Sequence, residues 1–222
     1  MPKQIAVSWS GGKDSTLALN EIVNNTDYEV RSLITTVTEG YDRISIHGVR
    51  TELLEQQADS IGIPLQKVYI PKNSTNEQYE SALKSVLLKF KKEGINEIVF
   101  GDIFLEDVKR YRDDLLATPD MKGIYPIWKK DSRELAERFI DLGFKAVTTC
   151  VDSQQLDKSF VGREYNYEFI DDLPDTADPC GENGEFHTFV YDGPLLNNKI
   201  NFDKGEIVFR DNRFYYCDLL PD

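Results

Sequence analysis

Cysteine is scarce in this sequence. The 222 residues contain only Cys150, Cys180 and Cys217, which lie far apart and include no Cys-x-x-Cys pair. An odd number of scattered cysteines argues against a disulfide framework and against a zinc ribbon, and is typical of proteins in a reducing compartment. We therefore expect a cytoplasmic protein.

Long apolar runs are also missing. No segment approaches the roughly 18 consecutive apolar residues of a membrane-spanning helix. The N-terminus opens with the polar residues 2–4 and does not resemble a signal peptide. We therefore expect no membrane association.

Positive charge is in short supply relative to negative charge. The chain has 26 Lys and Arg residues against 39 Asp and Glu residues, which gives a formal net charge of -13. Such a chain is repelled by the phosphates of DNA and RNA, so a nucleic acid is a disfavoured partner. Hydrophobic residues make up 40% of the chain and aromatic residues 11%, which is enough for a folded core.

The first half of the chain alternates between strand and helix patterns. Four short apolar runs are each followed by apolar residues with helical spacing. The runs occupy 4–9, 30–37, 65–70 and 95–100, and the helical stretches occupy 17–23, 49–61, 79–90 and 104–115. Alternation of this kind predicts parallel strands joined by helical crossovers. The expected fold class is α/β, with a doubly wound parallel sheet.

After about residue 119 the pattern changes. One helix and one strand are predicted there, followed by a hairpin whose turn is Asp211-Asn212. We therefore divide the chain into a first domain at 1–120 and a smaller C-terminal α+β domain at 121–222.

The segment Ser10-Gly11-Gly12-Lys13-Asp14-Ser15 lies between the first predicted strand and helix. Glycines allow successive backbone N–H groups to point at one anion, and the positive end of the helix dipole lies behind them. The spacing differs from the Walker pattern, because no Ser or Thr directly follows the Lys. It resembles instead the PP-loop of the N-type ATP pyrophosphatases, which hold the β and γ phosphates of ATP as a leaving pyrophosphate. The alternative is a glycine turn in which Asp14 and Ser15 are helix caps.

The PP-loop interpretation gives its residues roles in nucleotide binding. Lys13 would neutralise the charge that builds on pyrophosphate, and Ser10 and Ser15 would donate hydrogen bonds to it. Asp14 would bind Mg²⁺, and its alternative role is that of a helix N-cap. The residues assigned to ATP in this region are Ser8, Ser10, Gly11, Gly12, Lys13, Asp14 and Ser15.

Other candidate residues lie near the carboxyl ends of strands, where a doubly wound sheet binds its ligand. Thr36 is expected to border the adenine, and Gly101 and Asp102 to bind the nucleotide or its metal. His47 and Arg50 lie at the start of the second helix and are candidates for binding substrate or phosphate. Ordinary explanations remain open: strand propensity for Thr36, an N-cap for Asp102 and simple packing for His47.

A polar segment occupies residues 178–188. So few of its residues are apolar that core burial does not explain it, and dense polar groups in a tight loop are typical of a site. Glu182 and Glu185 are predicted to orient ammonia or a cationic substrate, with His187 and Thr188 as hydrogen-bond partners. An ordinary polar turn is the alternative.

Together these motifs resemble the diphthine-ammonia ligase family of ATP pyrophosphatases. The resemblance covers nearly the whole chain and rests on 10–15, 47–50, 101–103, 125–128 and 181–188, in this order. The His-Gly-Val-Arg and Asp-Pro-Cys-Gly-Glu-Asn forms look most like a prokaryotic branch. The resemblance implies a nucleotide-binding domain of the HUP type, as in the adenine nucleotide alpha hydrolases, followed by a smaller domain on the substrate side.

The resemblance also implies a reaction. It predicts an amide ligase that adenylates a carboxylate and transfers ammonia to it, with release of AMP and pyrophosphate. The expected partners are ATP, Mg²⁺, ammonium and a carboxylate acceptor on a translation elongation factor or on another molecule. A homodimer is a further expectation. The catalytic residues would be Lys13, Asp14, Glu182 and Glu185.

Two other functions remain open from the sequence. A tRNA-modifying adenylase of the same superfamily would need a basic surface, and the net charge of -13 argues against it. An ATP-binding sensor with the HUP fold would perform no chemistry. The presence of Lys13 and Asp14 together with Glu182 and Glu185 argues against the sensor.

Overall fold

A six-stranded sheet organises the first half of the chain. The computed structural model describes residues 2–40, 43–44 and 48–222. The strands of this first sheet are β1 (Lys3–Ser8), β2 (Tyr28–Thr38), β3 (Arg43–Ile44), β4 (Leu65–Ile70), β5 (Glu97–Val99) and β6 (Lys122–Ile124). Five of them are parallel, in the order β4-β2-β1-β5-β6, and β3 pairs antiparallel with β2.

The strand order reverses at β1, which makes a crevice at the carboxyl ends of β1 and β5. From β1 the chain moves outward through β2 and β4, and then returns to the other side of β1 to form β5 and β6. Open α/β sheets bind their ligands at such a switch point. The predicted doubly wound α/β fold of the HUP type is therefore confirmed, and the PP-loop, residues 10–15, follows β1 at this crevice.

Helices cover both faces of the first sheet. They are α1 (Lys13–Val23), α2 (Thr51–Ile61), α3 (Asn76–Lys92) and α4 (Glu106–Ala117). Thr75 begins α3 with a capping box, because its hydroxyl accepts from the Gln78 N–H and the Gln78 side chain accepts from the Thr75 N–H. Apolar side chains of the helices bury the two faces in separate core clusters. Within the described part of the chain, no helix is long and apolar enough to cross a membrane.

A second, antiparallel sheet forms the core of the C-terminal part. Its strands are β7 (Lys145–Asp152), β8 (Phe186–Asp192), β9 (Phe202–Arg210) and β10 (Phe214–Pro221), in the order β8-β7-β10-β9. The helices of this part are α5 (Ser132–Asp141), α6 (Tyr167–Asp171) and a 3-10 helix at Lys158–Phe160. The predicted hairpin is confirmed, since Asp211 and Asn212 take φ angles of 54° and 51° in the turn between β9 and β10.

One expectation about the polar segment is wrong. Its last residues do not lie in a loop, because β8 begins at Phe186 and includes His187 and Thr188. β8 continues through the buried residues 189–191, so most of its apolar residues lie after residue 188, where the polar segment ends. The polar loop, residues 178–185, therefore ends where β8 begins.

Candidate active site

The PP-loop spans the turn after β1 and the first three residues of α1. Gly12 is the N-cap of α1, and its N–H donates to the Ser10 hydroxyl at 3.3 Å. The hydroxyls of Ser10 and Ser15 lie 3.2 Å apart, and Ser15 donates to the Gly12 carbonyl at 3.0 Å. Both hydroxyls therefore lie at the positive end of the α1 dipole, where an anion is stabilised.

Gly11 fits the PP-loop against α2. Its φ angle is +75°, and a Cβ there would lie 2.5 Å from Leu54 Cδ1 and 2.6 Å from Gln57 Oε1. The buried Gln57 amide donates to the Gly11 carbonyl at 3.0 Å and accepts from the Trp9 indole at 3.0 Å. Gln57 was not anticipated from the sequence, although a polar residue on the apolar face of the predicted helix 49–61 is a usable signal.

Strand β8 of the C-terminal part forms hydrogen bonds with the PP-loop. The Val190 N–H donates to the Gly11 carbonyl at 2.9 Å, and the Lys13 N–H donates to the Thr188 hydroxyl at 3.1 Å. Successive side chains alternate across a strand, so His187 lies on the opposite face of the sheet from Thr188. The structure thus brings Thr188 to the PP-loop and directs His187 away from it.

The Lys13 side chain is buried between the PP-loop and the polar loop. It is 2% exposed, and its ammonium contacts the Cys180 carbonyl and lies 2.9 Å from Asp14 Oδ2. The ammonium also lies 5.6 Å from the ring centre of Tyr165 and 5.2 Å from that of Phe186. Burial lowers the pKa of Lys13, but the charges around it, Asp14 first among them, outweigh this and leave the pKa above its ordinary value.

Asp14 lies in the first turn of α1, and the N-cap alternative for it is wrong because Gly12 occupies that position. Its Oδ2 pairs with Lys13, whereas its buried Oδ1 has no hydrogen-bond partner among the described residues. Burial raises the pKa of Asp14 above its ordinary value, although Lys13 opposes the shift. A buried carboxylate oxygen without a partner, beside an anion site, fits a cation such as Mg²⁺.

A complete metal site is not assembled in the structure. Within residues 2–40, 43–44 and 48–222, no three His, Cys, Asp or Glu side chains are placed to hold a metal ion together. Mg²⁺ that arrives with a nucleotide keeps several water and phosphate oxygens and needs only one or two protein carboxylates. Asp14 is therefore the residue that would contribute to such a site.

Gly101 and Asp102 follow β5 on the other side of the crevice. A Cβ at Gly101 would lie 2.7 Å from the Asp14 carbonyl carbon, so a glycine is needed for the chain to approach α1 this closely. Asp102 forms an ion pair with Arg112, with 2.6 Å between Oδ2 and Nε. The N-cap of α4 is Leu105, so the interpretation of Asp102 as a helix cap is wrong.

Glu182 connects the polar loop to the chain after β5. Its Oε1 accepts from the Ile103 N–H at 2.8 Å and from the Phe104 N–H at 3.4 Å. Burial raises the pKa of Glu182 to about 7, and the charges of Asp14 and Asp102 act in the same direction. A carboxyl group that titrates near neutral pH is suited to accept a proton during a reaction.

Glu185 holds the polar loop together. It is 1% exposed, and its Oε1 accepts from the Asp178 N–H at 2.8 Å and from the Asn183 amide at 3.1 Å. Asp178 extends this network, because its Oδ2 accepts from the N–H groups of Cys180 and Glu182. The structure thus places Glu182 at the crevice and Glu185 inside the loop that positions Glu182.

Three further candidate residues lie in β1, in β2 and at the N-cap of α2. Ser8 is the last residue of β1, and Thr36 is half-buried in β2, two residues before the end of the strand. Arg50 forms a bidentate ion pair with Asp218 of β10, with 2.7 Å between Nη2 and Oδ2 and 3.2 Å between Nε and Oδ1. Arg50 therefore ties the start of α2 to the second sheet. His47 lies outside the described residues.

Two members of the site besides Gln57 were missed in the sequence. Tyr165 is buried and donates from its hydroxyl to the Pro179 carbonyl at 2.7 Å, which fixes the start of the polar loop. Asp178 organises the same loop through its carboxylate. Tyr165 carries no local signal, because its partners lie in other parts of the chain.

Family models match both parts of the chain. Residues 3–123 match the model described as the diphthamide synthase N-terminal domain, and residues 131–219 match the diphthamide synthase C-terminal domain. The first match alone covers more than half of the chain.

Similar curated proteins carry one name. A protein from Danio rerio named diphthine–ammonia ligase is 24% identical over 226 residues, which cover 91% of this chain and 88% of the relative. A protein of the same name from Bos taurus is 23% identical, with 92% and 85% covered. A third, from Schizosaccharomyces pombe, is 26% identical, and the match covers 90% of this chain and 36% of that longer protein.

Proposed function

The chain belongs to the diphthamide synthase family, and we propose that it is an ATP-dependent ligase that forms an amide from a carboxylate and ammonia, with release of AMP and pyrophosphate. The name of its relatives supports a ligase that uses ammonia. The observation that carries the proposal is the direct contact between the PP-loop and the polar loop, through the Lys13 ammonium and the Cys180 carbonyl. An anion site and a titratable carboxyl group thereby face one crevice.

In the first step, an oxygen of the acceptor carboxylate attacks the α-phosphorus of ATP, the bond between the α- and β-phosphates breaks, and pyrophosphate leaves. Ser10, Ser15 and the backbone at the start of α1 would hold the pyrophosphate. Lys13 would offset the charge that develops on it. Mg²⁺ bound at Asp14 would supply further charge neutralisation.

In the second step, ammonia attacks the acyl carbon of the adenylate, the bond from that carbon to the AMP oxygen breaks, and AMP leaves. The Glu182 carboxylate, which forms no ion pair within the described part of the chain, would attract ammonium to the crevice. Ammonium must lose a proton to become a nucleophile, and the amine must lose another after attack. Glu182 would accept a proton at the crevice.

Product analysis tests the reaction. We expect ATP labelled on its α-phosphate to give labelled AMP, and ATP labelled on its γ-phosphate to give labelled pyrophosphate, when ammonium and a carboxylate acceptor are present. A fraction of host proteins containing the translation elongation factors is the first acceptor to try. Acceptor-stimulated release of ADP and orthophosphate would contradict the proposal, because the chain would then cleave the bond between the β- and γ-phosphates.

The proposed homodimer is tested separately. Light scattering of the purified protein measures its mass in solution. A mass of about one chain at the concentrations used for activity would rule out the dimer and leave the ligase proposal intact.

Glu182 is expected to give the protein a distinctive pH dependence. Its pKa is about 7 in the folded protein and 4.5 as an ordinary Glu side chain. Between these values the folded state binds more protons than the unfolded state, so the contribution of Glu182 to stability falls as pH rises from about 4.5 to about 7. Amide formation should increase over the upper part of the same range, because the deprotonated carboxylate is the form that accepts a proton.

The variant Glu182→Gln isolates the effect of Glu182 titration from that of the other titratable groups. The glutamine side chain keeps a carbonyl oxygen for the Ile103 N–H, so the loop connection is preserved. Urea unfolding at a series of pH values gives the free energy of unfolding as a function of pH. Below pH 7 this free energy should change with pH differently in the variant and in the wild type. The rise of the amide-forming rate with pH should be absent in the variant. Identical slopes and identical rate profiles would contradict the assignment of Glu182 as the proton acceptor.

A further inference from the structure

Strand β9 is a free edge of the second sheet. It occupies Phe202–Arg210 and, among the described residues, pairs only with β10. In an antiparallel pair, half of the backbone N–H and C=O groups of an edge strand point away from its neighbour, where they can pair with another chain. All residues of β9 are exposed or half-buried. The strand therefore presents a sheet edge that is open to a further strand.

Large apolar side chains are exposed on one face of β9. Ile207 is 43% exposed and Phe209 is 48% exposed. Both positions pair directly with β10, and the Phe209 ring lies 4.7 Å from that of Tyr215, measured between ring centres. Exposed apolar residues beside an unpaired strand edge are typical of an interaction surface.

Two opposite charges lie on the other face of the strand. Glu206, Val208 and Arg210 line one cavity between the β9–β10 hairpin and the first sheet, so they share that face. Glu206 and Arg210 are exposed, and neither forms an ion pair within the described part of the chain. A negative and a positive charge on either side of an apolar residue make the segment complementary to itself in the antiparallel orientation.

The first half of β9 is less suited to pairing than the second half. The register between β9 and β10 shifts between the pair of Cys217 with Ile207 and the pair of Leu219 with Lys204. A bulge of this kind twists an edge away from further pairing, and an edge lysine has the same effect. Residues 207–210 pair with β10 without interruption. A further strand is therefore expected along residues 206–210.

We propose that β9 of a second copy of this chain pairs antiparallel with β9, about a two-fold axis at Val208, so that the second sheets of the two copies form one continuous sheet. In this register each Glu206 lies opposite Arg210 of the other copy, and each Ile207 lies opposite Phe209 of the other copy. Side chains directly opposite each other are about 5 Å apart at Cβ. Two ion pairs therefore form on one face and one apolar cluster forms on the other, in the self-complementary manner of a two-fold dimer.

Other two-fold registers lack this complementarity. An axis at Glu206 places that carboxylate opposite itself, and an axis at Ile207 places Lys204 opposite Arg210. An axis closer to the start of the strand involves the bulge and leaves the last residues of β9 unpaired. An axis closer to the turn leaves Glu206 without a strand residue opposite it. The axis at Val208 is therefore the favoured one.

The inference gives a surface to the proposed homodimer and rests on that part of the proposed function. Residues 206–210 belong neither to the PP-loop nor to the polar loop. The dimer surface and the ligase reaction can therefore be tested independently of each other.

Sedimentation velocity over a series of protein concentrations is the direct test. The net charge of -13 on each copy opposes association, so the series is run at physiological ionic strength, where the screening length is about 8 Å. We expect a monomer–dimer equilibrium that Phe209→Lys weakens about tenfold or more, because the new charge lies in the apolar cluster. Tyr69→Lys is the matched control, since Tyr69 is a 49% exposed aromatic residue of β4, an edge strand of the first sheet. This control should dimerise like the wild type.

Charge reversal tests the register. Arg210→Glu and Glu206→Arg should each weaken the dimer about tenfold or more, because like charges then lie opposite each other. An equal mixture of these two variants should associate far more strongly than either variant alone, because every opposing pair in the mixed dimer has unlike charges. The double variant Glu206→Arg/Arg210→Glu should dimerise about as well as the wild type. A mixture that associates no better than its components would overturn the register.

The remaining outcomes separate the surface from the reaction. A wild type that keeps the mass of one chain across the series would overturn the proposal, and so would a dimer that Phe209→Lys leaves unchanged. Slower hydrogen exchange in β9 of a monomeric chain only after the acceptor protein is added would overturn the second copy in favour of a strand of the acceptor. A chain that dimerises through β9 but forms no amide would contradict the ligase proposal alone.

Discussion

Replacing Lys13 by Met is expected to lower the rate of AMP formation about 100-fold or more, which corresponds to roughly 3 kcal/mol of lost transition-state stabilisation. The Lys13 ammonium is the buried cation at the start of α1, and methionine keeps much of its length but carries no charge. The expected loss arises because nothing then offsets the charge on the leaving pyrophosphate. Single-turnover measurement of labelled AMP gives the rate of the chemical step directly.

Folding must be controlled in this experiment, because Lys13 also contacts the Cys180 carbonyl and Asp14. Thermal unfolding of the Lys13→Met variant shows whether the two parts of the chain still pack together. Lys130→Met is a matched control, since Lys130 is 38% exposed and pairs only loosely with Glu21 at 3.8 Å. A folded Lys13→Met variant with the wild-type rate would remove this lysine from the mechanism.

Replacing Glu185 by Ala is expected to abolish amide formation, with a loss of about 100-fold or more, while the affinity for ATP changes little. The buried Glu185 carboxylate accepts hydrogen bonds from the Asp178 N–H and the Asn183 amide. Its removal leaves two donors without a partner, at a cost of about 1–3 kcal/mol each. The polar loop would then lose its conformation, and Glu182 would no longer be held at the Ile103 N–H.

Calorimetric titration with ATP, beside measurement of amide yield, separates the two effects. Glu168→Ala serves as the control, because Glu168 is an exposed glutamate of α6 in the same part of the chain. A parallel loss of ATP binding and amide formation would mean that the polar loop only supports the fold. Normal amide formation by the variant would contradict a role for this loop on the acceptor side.

The strands and helices of the first half were predictable because their apolar periodicity is local. β4 lies at Leu65–Ile70, as the sequence indicated. β5 covers only Glu97–Val99, although Ile95 and Phe100 on either side of it are buried in the same core cluster. The short elements β6 and α6 were not predicted. With three and five residues they are too short to show a helical or strand periodicity in the sequence.

The composition of the polar segment did not predict where its side chains lie. Its dense polar residues suggested four groups that face a ligand together, and the structure separates them. Glu182 reaches the crevice, Glu185 is buried inside the loop, and Thr188 and His187 lie on opposite faces of β8. The direction of each side chain depends on where β8 begins, which the composition of the segment does not reveal.

The sequence by itself determined the α/β class, the hairpin turn at Asp211-Asn212, and the glycine turn between β1 and α1, because short-range spacing and backbone preference specify each of them. Only the tertiary structure decided the state of the groups within the site. Lys13 meets a carbonyl 167 residues away, and Glu182 meets an N–H 79 residues away. Burial and neighbouring charges set the pKa values of Lys13 and Glu182. The residues that bury and surround these groups come from segments that meet only when the two sheets pack together.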